Sequence, residues 1–511
     1  MRKRETIWMT SMLAIALSGA WAQDSPPAQE SAQGGQQPVS AYGQGQDNAP
    51  SASNNPPISG LDVPSLEPSA APLSYLQPGA TVSESADTNI GDALGGGSVG
   101  SVTRALGSLT LRRLWSHYDL ALDYLGGVAY YTTNGVGLKQ LHDLGLDQKI
   151  AWKRGQLSIR DSFSYLPEGN FGDVYGSLGS QGILSLGNSA FGSFWGGTAL
   201  GTLGVAPRIL NVSIADVTEN LSSKSSLTAA GGYAFTHFYG SDFNGTSFIG
   251  SSQTSAQVGY NRQLNPNSQV ALVYGYQGFD FSVVGTAFHS HIIQAMYGHR
   301  ISGRMDFTIG AGPQITFIDS QSAACSDPAV PLLLCTALGD TLGSVTDKNT
   351  KLGVSAQARL RYRFTKTMLD LSYERFETSG AGLFAGSQSD IARLTATRPL
   401  TRVWNASFDV GYARNGRIQP LTVDQLTACL NSTTNQNACP ANDANTYSYG
   451  FAGVSIDRHF GHDFHGFLSY QENELWFDQS YCVAGTACNR ISNRSVVTIG
   501  LDWTPRPTRL D

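Results

Sequence analysis

Val403-Trp404-Asn405-Ala406-Ser407-Phe408-Asp409-Val410-Gly411-Tyr412-Ala413-Arg414 sorts its residues by parity. Trp404, Ala406, Phe408, Val410 and Tyr412 share one face, and Asn405, Ser407, Asp409 and Gly411 share the other. Side chains change face at every residue of a strand, so this segment has one oily wall and one wet wall. Ala358, Leu360, Tyr362 and Phe364 stand in the same way against Gln357, Arg359, Arg361 and Arg363. Met305, Phe307, Ile309 and Ala311 do so against Arg304, Asp306, Thr308 and Gly310. No helical period competes in these windows.

Working outward, about 18 such segments run from 74–88 to 491–505. Two of them are read at 303–319 and 350–364. Short turns at Ser116-His117, Arg154-Gly155, Ser222 to Lys224, Asn265 to Asn267, Ile301-Ser302, Thr365-Lys366, Pro399 to Thr401 and Phe460 to His462 alternate with longer connections. The longer ones include 167–207, 320–349, 416–444 and 478–490. Strict alternation of tight and long connections describes a sheet with one plain rim and one elaborated rim. The fold expected is all-β, a transmembrane antiparallel β-barrel of about 18 strands over residues 73–506, followed by a short tail, 507–511.

The start of the chain indicates the compartment. Arg2, Lys3 and Arg4 precede an apolar run from Ile7 to Leu17, and Ala20-Trp21-Ala22 offers small residues where a signal peptidase cuts. Residues 1–22 therefore read as a secretory signal peptide. A run of about a dozen apolar residues is too short to anchor the chain in a bilayer. With 14% charged residues and a mean hydropathy of −0.16, the rest would pass a hydropathy plot as an ordinary secreted protein. Residues 23–72 are rich in Gln, Pro, Ser, Gly, Ala and Asn and cannot bury enough apolar surface to offset chain entropy. They are expected to form a disordered periplasmic linker.

The six cysteines fall into close pairs, Cys325 and Cys335, Cys429 and Cys439, Cys482 and Cys488. All are expected in long loops, where the oxidising periplasm permits disulfides. Local pairing follows from proximity alone, because six cysteines allow 15 connectivities. The CxxC spacing of zinc sites is absent.

On the wet face, Arg359, Arg361 and Arg363 make a basic row, which Arg393 extends two strands on. Asp370 and Glu374 lie between them, and Asp409 follows. Charges of both signs on a lumen suit a water-filled interior that sorts ions. They also suit a wall in which the charges pair with one another. The loop 167–207 interleaves many glycines with Phe171, Phe191, Phe194 and Trp195.

Enzymatic readings find no support in these residues. No His stands with a carboxylate or Ser partner in a recognisable constellation. His459, His462 and His465 straddle a tight turn, and His289 and His291 share a face of one strand. Gly95-Gly96-Gly97 lies in a loop and is no phosphate-binding turn. A net charge of −6 without basic clusters gives no reason to invoke nucleic acid, and no cofactor or metal is expected.

Over residues 73–506 the chain resembles bacterial outer-membrane β-barrels. Its last strand carries Val497, Ile499, Leu501 and Trp503 on one face, similar to the aromatic-ended closing strand of such barrels, although eight residues follow Trp503. The resemblance implies a Gram-negative outer membrane, with membrane lipid and the barrel-assembly machinery as partners. By resemblance to general porins, whose third loop constricts the pore, Phe171, Phe191, Phe194 and Trp195 are constriction candidates, and a surface cap lying over the mouth is the other reading of this loop. The stretch from Pro78 to Asn89 is similar to the first strand of large uncharacterised barrels that accompany exopolysaccharide systems, which implies a periplasmic or carbohydrate-export partner. Three readings stand at this point: a porin-like channel for small hydrophilic or charged solutes, an exopolysaccharide export barrel, and a non-conducting structural or adhesive barrel with disulfide-closed outer loops.

Overall fold

The computed structural model describes residues 57–60, 74–90, 97–132, 137–166, 207–239, 242–243, 246–281, 285–325, 342–382, 384–418, 446–478 and 491–510. Eighteen strands form the wall: β1 (Tyr75–Asp87), β2 (Gly100–Leu114), β3 (Tyr118–Tyr131), β4 (Gly137–Trp152), β5 (Gly155–Leu166), β6 (Arg208–Ser222), β7 (Ser225–Phe238), β8 (Ser251–Asn265) and β9 (Ser268–Phe281), followed by β10 (Thr286–Ser302), β11 (Met305–Cys325), β12 (Leu342–Arg363), β13 (Met368–Thr378), β14 (Ser387–Pro399), β15 (Trp404–Arg417), β16 (Thr446–Phe460), β17 (Phe464–Phe477) and β18 (Ile491–Trp503). Each pairs antiparallel with its successor.

The wall is closed. β1 pairs with β18 from Ala80 opposite Trp503 to Asp87 opposite Val496. Side chains tie the seam inside, where Thr81 Oγ1 donates to Asp502 Oδ1 at 2.7 Å and the Ser85 and Thr498 hydroxyls lie 2.9 Å apart. An even strand count places both ends of the wall at one rim. That rim carries the tight turns. Lys153-Arg154, Ser223-Lys224, Pro266-Asn267 and Gly303-Arg304 each join two strands. Three of these four turns are preceded by a register shift, at Asn220 to Ser222, Gln263 to Asn265 and Arg300 to Ser302. An extra residue of this kind adds local twist where the chain must reverse.

The exposed face is apolar and the buried face polar, the reverse of a soluble domain. Val82, Leu272, Ile293, Ile309, Ile499 and Leu501 point outward and are exposed. Ser83, Ser85, Ser158, Ser164, Gln257, Gln277, Ser290 and Gln314 point inward and are buried. Exposed aromatic residues gather near the tight-turn rim, among them Trp115, Tyr118, Trp152, Trp404, Phe460 and Trp503. Arg458 lies 5.1 Å from the Trp404 ring and 4.9 Å from that of Phe460, so its charge reaches the interface while its stem covers the rings. Tyr130, Tyr233, Tyr274, Tyr412 and Tyr470 are exposed farther toward the loop side. An apolar belt between aromatic girdles is the outer surface of a barrel seated in lipid.

Two strands run past the bounds read from sequence. β11 and β12 pair up to Cys325 opposite Leu342, so much of the stretch expected as a loop at 320–349 is hairpin. Cys325 ends a strand and does not lie in a loop. Ser320 to Cys325 and Leu342 to Asn349 do not alternate apolar with polar residues, so the pattern that marks strands lower down is missing there. The other five cysteines, and with them the expected pairings, lie outside the described residues, as do residues 1–56 and 61–73 of the leader and linker.

Depth in the bilayer sets the cost of a charge on the outer wall. Ile293→Arg is expected to lower folding stability by about 2–4 kcal/mol, and Ile301→Arg, beside a tight turn, by about 0–1 kcal/mol. Reversible urea unfolding in phospholipid bilayers measures both.

Candidate functional site: the lumen

The half of the lumen nearer the tight-turn rim is a belt of ion pairs. Arg359, Arg361 and Arg363 project inward at alternate positions of β12, and register sets Arg361 between Asp306 on β11 and Asp370 on β13. Arg361 Nε and Nη2 donate to the two oxygens of Asp306 at 3.0 and 2.7 Å. Arg359 Nε donates to Asp370 at 3.0 and 3.1 Å, and its Nη2 adds a further bond to the same carboxylate. Arg393 Nε donates to Asp409 Oδ1 at 3.0 Å. Paired, doubly bonded guanidinium groups are rigid and directional.

Five of the seven lumen candidates, Arg359, Arg361, Asp370, Arg393 and Asp409, therefore meet as pairs, with Asp306 as the partner that completes Arg361. Asp306 stood on the wet face of its segment, but only the strand register shows which guanidinium it meets. Arg363 and Glu374 occupy inward positions on β12 and β13. The belt continues around the wall in residues not singled out from sequence. Arg160 lies between Asp147 and Asp216 at 3.8 and 3.5 Å, and Arg112 binds Asp119 at 3.2 and 2.6 Å. Nearer the loop rim, Arg494 Nε donates to Asp87 Oδ2 at 2.9 Å across the seam.

The loop-side half of the lumen is crossed by chain. β13 leaves its partner β12 after Arg375, opposite Ala356, and the alternation breaks there, with Phe376, Glu377 and Thr378 all buried. Glu377 accepts a hydrogen bond from Thr316 Oγ1 at 2.5 Å and another from Ser290 Oγ. The connection that follows folds inward, and Phe384 is fully buried against Tyr447, Tyr449 and Phe477. Gly382 and Gly386 have φ of +80° and +89°, and a side chain on either would strike Phe238 or Phe288. From the facing wall the connection between β7 and β8 reaches in, and Ile249 N–H donates to the Gly382 carbonyl at 2.8 Å. Phe238 and Phe248 stack beneath at 5.1 Å. The two connections thus meet inside the barrel through Phe248 and Ile249 on one side and Gly382, Phe384 and Gly386 on the other. The constriction candidates Phe171, Phe191, Phe194 and Trp195 lie outside the described residues.

A third element enters from the N-terminal side. Residues 57–60, within the stretch read as a linker, lie against the inward faces of β7, β8 and β10. Ser59 is fully buried there and hydrogen-bonded to Thr228, Gln257 and Asn261. Ile58 packs on an apolar cluster that includes Leu210, Val212, Ile292 and Met296.

The histidines are placed without a metal geometry. His459 and His465 face each other with ring centroids 4.3 Å apart, and His465 Nδ1 lies 3.6 Å from Asp502. His289 and His291 point outward among Phe317, Tyr274 and Tyr276. Among the described residues no three His, Cys, Asp or Glu side chains converge as a metal site.

A closed wall, apolar outside and charged inside, decides the class. The chain is a closed 18-stranded antiparallel β-barrel of the membrane-spanning kind. No protein-family model and no curated protein matches it. Among solved structures, it is similar to OccK2 (OpdF) of Pseudomonas aeruginosa at 9% identity and a TM-score of 0.37, over 84% of this chain and 98% of that one. The outer membrane protein OpdK of the same organism gives 9% and 0.36, over 84% and 98%. OccAB1 of Acinetobacter baumannii gives 9% and 0.38, over 86% and 97%. Strand number and closure stand on the hydrogen-bond ladder itself.

Asp306→Asn leaves a buried guanidinium without its main partner and is expected to cost about 3 kcal/mol, the low end for a broken buried pair because Asp370 flanks Arg361 on its other side. Asp306→Asn combined with Arg361→Gln should recover most of that loss. Urea unfolding of the single and double variants measures the difference.

Proposed function

We propose that this barrel is an outer-membrane channel that passes small hydrophilic or charged solutes with weak selectivity. The observation that carries the reading is the inward belt of matched charge. Arg359, Arg361 and Arg393 are bonded to Asp370, Asp306 and Asp409, and Arg363 and Glu374 add one inward charge of each sign. Charges matched in rigid pairs keep water and polar partners available to a solute without binding one sign tightly. Exit from such a belt is as easy as entry.

The same balance weighs against export of an anionic polysaccharide. A polyanion would be drawn through by an excess of basic groups, whereas each arginine with a defined partner here spends its charge on a neighbouring carboxylate. No observation favours an adhesive role for the outer loops.

The refolded chain in a planar bilayer under a salt gradient is expected to show openings with a small reversal potential. Arg361→Glu, which places three carboxylates side by side at Asp306, 361 and Asp370, should shift preference toward cations. Asp306→Lys should shift it toward anions. A conducting barrel indifferent to both changes would remove the belt from the conduction path.

A further inference from the structure

The segment Pro57–Gly60 is held inside the barrel more completely than its composition would suggest. It forms a turn, with Gly60 N–H donating to the Pro57 carbonyl at 2.9 Å. Every polar group of Ser59 is met by the wall. Its N–H donates to Asn261 Oδ1 at 3.0 Å, and its carbonyl accepts from Gln257 Nε2 at 3.2 Å. Its hydroxyl lies 2.6 Å from Thr228 Oγ1 and accepts from Asn261 Nδ2 at 2.5 Å. Three side chains on two strands thus read the donors and acceptors of one residue, the kind of full satisfaction that a buried polar group requires.

The wall is also shaped for it. A side chain at Gly259 would strike the Ser59 hydroxyl, and a Cβ at Gly298 would lie 2.9 Å from Ile58 Cγ2. Ile58 meanwhile covers an apolar patch that would otherwise face the aqueous lumen. The niche is uncharged, in a half of the lumen otherwise lined by ion pairs. Water would solvate both Ser59 and its partners if they parted, so the contact is reversible in principle.

We infer that Pro57–Gly60 is a tethered plug, an internal ligand of the niche formed by Thr228, Gln257, Gly259, Asn261 and Gly298, which narrows the channel while docked and widens it on release. From Gly60 to Ser74, where the wall begins, an extended chain spans up to about 50 Å, long enough to leave the lumen by the tight-turn rim while still attached. The inference rests on the channel reading for its electrical readout, but docking can be tested without it.

The test is the full chain carrying Ser59→Cys and Thr228→Cys. The native hydroxyls are 2.6 Å apart, so the two sulfurs come within reach of a disulfide bond of about 2.05 Å. Mild oxidation of the folded barrel should join the two positions, as read by mass spectrometry of the linked peptides. Conductance should then rise several-fold when reductant is added, while each single-cysteine variant and the parent chain stay unchanged. Gly259→Val and deletion of Pro57–Gly60 should each raise conductance of the otherwise native barrel by a similar factor. Failure of the cysteines to join in a folded barrel, or equal conductance of joined and reduced forms, overturns the plug and leaves the channel standing. Silence of every form, the deletion included, overturns the channel and the plug together.

Discussion

Lipid offers no hydrogen-bond partner to a backbone, and the rest of this structure depends on that constraint. An open sheet edge in hydrocarbon would leave a row of unmatched N–H and C=O groups, each costing several kcal/mol by the estimate of about 2–7 kcal/mol per unpaired group. The seam between β1 and β18 removes that edge, running eight residue pairs from Ala80 opposite Trp503 to Asp87 opposite Val496. Closure then fixes the remaining choices. Every strand has a lipid side and an inner side, and a polar residue on the lipid side needs partners there, as Asp161 has in Asn211 and Ser213.

The inner side is where this barrel departs from a simple tube. Charges collect toward the tight-turn rim and are matched across neighbouring strands, as in Arg361 with Asp306 and Arg160 with Asp147 and Asp216. Pairing lets the wall carry many charges with little net field. Toward the loop rim the inner wall becomes aromatic, with Phe279, Phe281, Phe288, Tyr447 and Tyr449 buried beneath incoming chain. The two halves differ because water reaches them differently. Ion pairs suit a wetted wall, whereas the incoming segments at Phe248-Ile249 and 384–386 need an apolar bed to pack against.

How much of this could be read from sequence follows the same physics. Alternation is enforced only where lipid lies on one side and water on the other, so Trp404 to Tyr412 and Ala358 to Phe364 announce their strands. Tight turns are legible because a hairpin in the wall leaves no slack. The upper part of the β11–β12 hairpin, where Ser320 meets Asp347, gave no such signal because Ser320 to Cys325 and Leu342 to Asn349 do not alternate apolar with polar residues. The inward face of the arginine row was legible, but its partners depend on strand register. The peeling of β13 at Phe376 and the burial of Ser59 rest on contacts with strands far away in sequence, which no local pattern encodes.

Those long-range contacts converge on one feature, a lumen that the chain itself occupies at both ends. Glu377 is carried to Ser290 and Thr316 by a strand that gives up its pairing with β12 after Arg375 while keeping β14 as far as Thr378, and the connection after it places Phe384 among Tyr447, Tyr449 and Phe477. At the other end a four-residue turn fills a niche built by β7, β8 and β10. A strand that abandons its partner sacrifices backbone bonds, and a chain drawn into a lumen loses entropy. Both costs must be offset by the inner contacts, chiefly aromatic packing above and hydrogen bonding below. The upper elements are locked by burial of large rings, whereas the lower one rests on exchangeable hydrogen bonds and a single isoleucine. Of the two, the lower contact is the one that water can most easily replace, which places the adjustable part of the passage at the tight-turn rim.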